Sequence, residues 1–139
     1  MNVNQSTLLL APLLLGLALT AGPAAAHHSG AMFDRTHTIT IDGAFLSQEY
    51  TNPHVWISVM GKPLNSKLKV ARWDIETVST GNLIKMGITK ETLKPGDKLK
   101  VKINPLRDGR HGGSLQTIIT ADGVEHGFHE GDAGGVAPE

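Results

Sequence analysis

The sequence predicts an all-β fold with one short helix: a small five-stranded OB-fold-like barrel whose helix lies between strands 3 and 4. Three observations predict it. Apolar and polar residues alternate with period two in short runs, the mark of half-buried strands. Clusters of Gly, Pro, Asn and Asp punctuate those runs. After the third run comes a stretch with cap signals at both ends, which marks a helix. Strand, strand, strand, helix, strand, strand is the element order of the OB-fold, a small Greek-key barrel.

Taken in order, HTITIDGAFLSQEY (37–50) sends Ile39, Ile41 and Phe45 one way and Thr38, Thr40 and Asp42 the other. Gly43, in mid-run, predicts a bulge or sharp bend. Thr51-Asn52-Pro53 breaks the run, because Pro53 has no N–H to give a ladder. HVWISVM (54–60) is the second strand, with Val55, Ile57 and Val59 on one face and His54, Trp56, Ser58 and Met60 on the other. GKPLNS (61–66) is turn chemistry. In KLKVARWDIE (67–76) the apolar phase slips from Leu68 and Val70 to Trp73 and Ile75, which predicts a bulge near Ala71-Arg72. Ser79 caps a helix over 80–86, closed by Gly87 in the left-handed conformation. Lys94-Pro95-Gly96-Asp97 is a tight turn before DKLKVKIN (97–104), where Leu99, Val101 and Ile103 alternate with Lys98, Lys100 and Lys102. The lysines read as a solvated face that discourages edge pairing. RDGRHGG (107–113) is a loop and SLQTIITADG (114–123) the fifth strand.

The domain organisation is a signal peptide over 1–26, one OB-like β domain over 27–123, and a flexible Gly-rich, acidic tail over 124–139. The first charged residue is Asp34, and Leu8 to Leu19 is an almost unbroken apolar run ending in AGPAAAHH. Ala24 and Ala26 fit the small-residue pattern read by signal peptidase. The run falls short of the roughly 20 residues that span a bilayer, so no stable membrane span is expected after processing. Cleavage after Ala26 places the protein in the periplasm with His27 at its new amino terminus.

Composition narrows the function. The 13 basic and 13 acidic residues cancel, which argues against a nucleic-acid partner, whose phosphates reward many cationic contacts. There is no cysteine, so thiolate metal sites and Cys nucleophiles are excluded. Histidine, with seven copies, is the notable excess.

The blocks HHSGAMFD (27–34), EYTNPHVWISV (49–59), LKPGDKLKV (93–101) and PLRDGRHGG (105–113) together resemble a widespread family of small exported bacterial proteins labelled as a domain of unknown function. The resemblance runs from His27 to about Gly123 and implies export and a single domain, with no established activity. This chain has Ser79-Thr80 and Gly87-Ile88 where members of that family usually carry Ser-Pro and Gly-Trp.

A new terminus at His27 offers a free amine and an imidazole on one residue, a chelate suited to Cu(II). An unperturbed α-amine has a pKa of about 7.7–8.0, so a metal can displace its proton near neutral pH. His28 offers a second route through the intervening amide, and His54 a further imidazole from the second strand. His37, His111 and the pair His126 and His129 are further imidazoles, and Met32 and Met60 offer thioethers to Cu(I). No G-x-S-x-G setting, H-E-x-x-H spacing or phosphate loop is present, so no enzyme is expected. The leading expectation is a periplasmic, non-enzymatic protein that binds copper or a similar metal through His27, His28 and His54. The alternatives are an OB-like module that binds a small molecule or partner protein, and a structural envelope protein. Trp56, Arg72 and Trp73 are the candidate ligand-binding residues, since OB barrels bind across strands 2 and 3.

Overall fold

The structure, a computed structural model, describes residues 30–127. The expected leader, His27 and His28, and tail residues 128–139 with His129 lie outside the described residues. Six strands and one helix follow a short 3-10 turn at Gly30–Met32: β1 (Ile39–Glu49), β2 (Trp56–Pro63), β3 (Ala71–Glu76), α1 (Thr80–Lys85), β4 (Lys98–Pro105), β5 (Gly112–Thr120) and β6 (Glu125–Gly127).

β1 is long enough to pair with β2 through residues 41–49 and with β4 through 39–44. β2 pairs antiparallel with β3, and β4 with β5. A parallel seam, Asp74 to Gly112, Ile75 to Gly113 and Glu76 to Ser114, joins β3 to β5 and closes the ring. The circuit β1-β2-β3-β5-β4-β1 is a closed five-strand barrel with the helix between strands 3 and 4, as the element order predicts.

Alternation fills the barrel. Ile41 and Phe45 of β1, Ile57 and Val59 of β2, Trp73 and Ile75 of β3, Leu99, Val101 and Ile103 of β4, and Leu115 and Ile118 of β5 all point inward and are buried. Each fully buried aliphatic side chain contributes about 1.5–3 kcal/mol relative to exposure. The lysines of β4 face outward, and Lys102 reaches Glu125 of β6 at 2.7 Å.

The helix closes one end of the barrel. Ser79 accepts from the Asn82 N–H at its start. At its end the Gly87 N–H bonds the Ile84 carbonyl and the Ile88 N–H the Leu83 carbonyl, a Schellman motif. Gly87 takes the positive φ that this motif needs, +85°. Leu83 and Ile88, both fully buried, carry its hydrophobic contact into the core beside Met86 and Leu93.

Four expectations are corrected. The phase slip in 67–76 is the true start of a strand, not a bulge: Leu68 and Val70 precede β3 and are 55% and 60% exposed. The irregularity in β1 falls between Phe45 and Ser47, while Gly43 lies opposite Gly61 in regular pairing. β5 begins at Gly112 rather than 114, because 112–114 pair with β3 along the seam, and neither Gly112 nor Gly113 has room for a side chain between its neighbouring strands. A Cβ on Gly112 would lie 2.7 Å from the Asp74 carbonyl oxygen, and one on Gly113 2.4 Å from that of Asn104. Finally, Glu125–Gly127 of the expected tail forms β6. One edge of β5 pairs with β4; along the other, β3 takes 112–114 and β6 takes 117–119, so β6 covers what β3 leaves open.

Candidate functional site

The TNPH block is fastened from behind. The Asn52 carbonyl oxygen of the side chain accepts from the Thr80 N–H at 3.1 Å and the Thr80 hydroxyl at 3.0 Å, tying the block to the start of α1. The Asn52–Pro53 peptide is cis. Val55 donates its N–H to the Val78 carbonyl, and its own carbonyl accepts from the Thr77 N–H and hydroxyl. These bonds hold residue 54 against the end of β3, where His54 Nδ1 bonds Glu76 Oε1.

Glu76 is 4% exposed, and its Oε2 is buried without a hydrogen-bond partner among the described residues. The His54 side chain keeps 40% of its surface exposed. A buried carboxylate beside an imidazole nitrogen is the arrangement that fixes ring orientation and tautomer in metal-binding histidines.

From that pair the outer face of β1, β2 and β3 runs in rows, since directly opposed residues share a face. Glu49, Trp56 and Glu76 form one row and Ser47, Ser58 and Asp74 the next; Met60 and Arg72 follow. A groove of about 300 Å³ lies over them, lined by Ser47, Gln48, Glu49, Trp56, Ser58, Arg72 and Asp74. Its floor is cross-braced: the Ser58 hydroxyl donates to Asp74 at 2.7 Å, Arg72 Nε donates to Asp74 at 2.8 Å, and Arg72 Nη2 donates to Ser58 at 2.9 Å. Burial pushes the Asp74 carboxyl up, but the Ser58 and Arg72 hydrogen bonds and the Arg72 charge outweigh it and hold the group below its ordinary value.

The structure therefore brings His54, Trp56 and Arg72 onto one face and leaves Trp73 off it. Trp73 points into the core at 5% exposure, donates Nε1–H to the Gly61 carbonyl at 3.2 Å and stacks on His111 with centroids 4.7 Å apart. The reason is parity: in W-D-I-E (73–76), alternate residues face opposite ways. The same parity puts Asp74 and Glu76 on the outer face, and sequence reasoning assigned them no role. The buried Trp73 and Ile75 were the signal for both. Other histidines are occupied elsewhere: His37 meets Asp34 at 3.2 Å, and His126 Nδ1 lies 3.0 Å from the Met86 carbonyl oxygen.

Among the described residues no three His, Cys, Asp or Glu side chains group as a metal site. His54 and Glu76 are the two such groups that lie together at the end of β3.

A model of a family described as a family of unknown function, DUF6152, matches residues 15–116. The chain belongs to DUF6152. No curated protein and no solved structure matches it. The DUF6152 match takes in the whole TNPH block, the His54–Glu76 pair, the groove, and the barrel as far as Gln116 in β5. What a DUF6152 protein does must accordingly be argued from this chain's own side chains.

Proposed function

We propose that this DUF6152 protein is a periplasmic, non-catalytic binding protein for copper or a similar transition metal. The metal is held by the amino terminus created at His27, with His28 and His54 as further ligands. The observation that carries this reading is the bond from His54 Nδ1 to the buried Glu76. A carboxylate that takes Nδ1–H fixes the orientation and tautomer of the ring and makes Nε2 the nitrogen for a metal.

Chain geometry supports the amino terminus as partner. Phe33 bridges Leu106, the Leu106 N–H bonds the Gly112 carbonyl, and Gly112 pairs with Asp74. That is three steps across the sheet, about 14 Å at the usual spacing between strands. Five residues separate His27 from Phe33; with Gly30–Met32 in a 3-10 turn of about 2 Å rise per residue, the segment reaches at most about 16 Å. The Arg107 N–H to the Met32 carbonyl and the Asp34 N–H to the Pro105 carbonyl further pin the segment there, on the side of the barrel where β3 ends in Glu76.

The test is Cu(II) titration against a competing chelator. Protein starting at His27 binds tightly; protein with several added residues before His27, which keeps every imidazole, binds much more weakly. His54→Ala in the correctly processed form weakens binding in its own right. Equal affinity of processed and extended forms overturns the terminal site. Sequencing the amino terminus of envelope protein yields His27 first; a start at Met1 overturns the export on which the site depends.

The groove beside Trp56 and Arg72 favours a second reading, an OB-like module for a small molecule or partner. It takes first place if neither form binds copper.

A further inference from the structure

We propose that the groove over Trp56 binds an organic cation, a protonated amine or guanidinium carried either by a free polyamine or by a basic side chain of a peptide. This rests on the binding-module reading and not on the copper site.

The indole of Trp56 is half-buried, in a row flanked by Glu49 on β1 and Glu76 on β3. Opposed residues on adjacent strands place their Cβ atoms about 5 Å apart, so a cation over the indole meets the exposed Glu49 carboxylate on one side, while Glu76 on the other is buried and bonded to His54. The next row adds the ionised Asp74. The groove lining holds two carboxylates, Glu49 and Asp74, and one guanidinium, Arg72, which pairs with Asp74 and Ser58 and so leaves Glu49 as the uncompensated charge. Glu49 is exposed and, among the described residues, has no ion-pair partner, while Glu76 Oε2 is buried without a hydrogen-bond donor.

The three chemistries a groove of about 300 Å³ admits are thereby separated. An anion is repelled by the row. A neutral sugar stacks on the indole but leaves the Glu49 charge desolvated and uncompensated. A cation gains from the π face and from the carboxylates together.

The experiment uses the full processed chain, titrated with spermidine, with an end-blocked trilysine peptide, and with maltotriose as the neutral control. Two tryptophans give two indole N–H resonances, and buried Trp73 serves as the internal reference for folding. Both cations move the Trp56 resonance and leave that of Trp73 in place. Calorimetry then shows affinity falling about tenfold in Trp56→Ala and several-fold in Glu49→Gln. Raising salt to about 0.5 M weakens binding, because the groove is open to screening ions. Tighter binding of spermidine identifies a free polyamine as the source, and tighter binding of the peptide identifies a basic side chain. Unchanged affinity in Glu49→Gln, or maltotriose binding as well as the cations, overturns the proposal. In the second case the binding-module reading survives it; if no probe binds at all, both fail.

Discussion

Gly43 of β1 lies directly opposite Gly61 of β2, and neither position has room for a methyl group. A Cβ on Gly43 would stand 2.3 Å from the Met60 carbonyl oxygen, and one on Gly61 2.5 Å from that of Asp42. β1 holds β2 on one edge and β4 on the other at this very point, with Gly43 also opposite Leu99. The paired glycines let two backbones approach closely at a point where β1 is paired on both edges.

Gly43→Ala therefore forces β1 and β2 apart and costs about 1–3 kcal/mol, as overpacking does. A drop in the urea midpoint checks it. Gly81, in α1, is the contrast: an added Cβ there meets nothing within 4 Å. Gly81→Ala raises stability by roughly 0.5 kcal/mol through helix propensity. Equal effects at the two positions would show that propensity, not space, governs both.

The two tryptophans diverge in the same assay. Trp73→Ala empties the core and removes the bond to the Gly61 carbonyl, at a cost of about 3–5 kcal/mol. Trp56→Ala, on the outer face, costs no more than about 1 kcal/mol. Thermal unfolding of the two variants side by side settles the order.

Asn52→Ala deletes the acceptor for two Thr80 donors and frees the start of α1, at about 1 kcal/mol. Asn52→Asp keeps an acceptor at a helix amino terminus and recovers most of the loss. Amide exchange rates across residues 80–85 report the fraying directly.

Asp74 sets a pH dependence of known sign. Its carboxyl sits below the ordinary value in the fold, so it contributes stability that is complete above the usual carboxylate range near pH 4. That contribution is lost as pH falls through the lowered value. Half of its side chain is exposed, which limits the effect to at most about 1 kcal/mol. Asp74→Asn is accordingly less stable than the parent at pH 7, and the gap closes as the solution is acidified below pH 4. A gap that widens in acid contradicts the assignment.

Much of the barrel was legible because its strands alternate cleanly. Leu99, Val101 and Ile103, and Val55, Ile57 and Val59, all sit in the core, and Ser79 and Gly87 cap the helix as their chemistry dictates. What periodicity does not carry is pairing between distant strands. Gly112 and Gly113 look like loop residues until β3 is known to run beside them, and three residues of β6 are too few to show a period. The site was half legible for the same reason. Trp56 and Arg72 share a face through strand register, while Trp73 was placed with them by adjacency in the chain, which in a strand means the opposite side. Glu76 escaped notice because its importance comes from burial against His54, a contact 22 positions apart.

The parallel seam between β3 and β5 has a consequence in time. A chain that emerges amino end first exposes β1, β2 and β3 as an unfinished sheet, with the inner faces of Phe45, Ile57, Val59 and Ile75 uncovered. The ring has no means of closing until Gly112 to Ser114 arrive, late in the sequence. Until then the free edge of β3 is open to any other extended chain nearby, and the newborn protein is at its most adhesive just before it is complete.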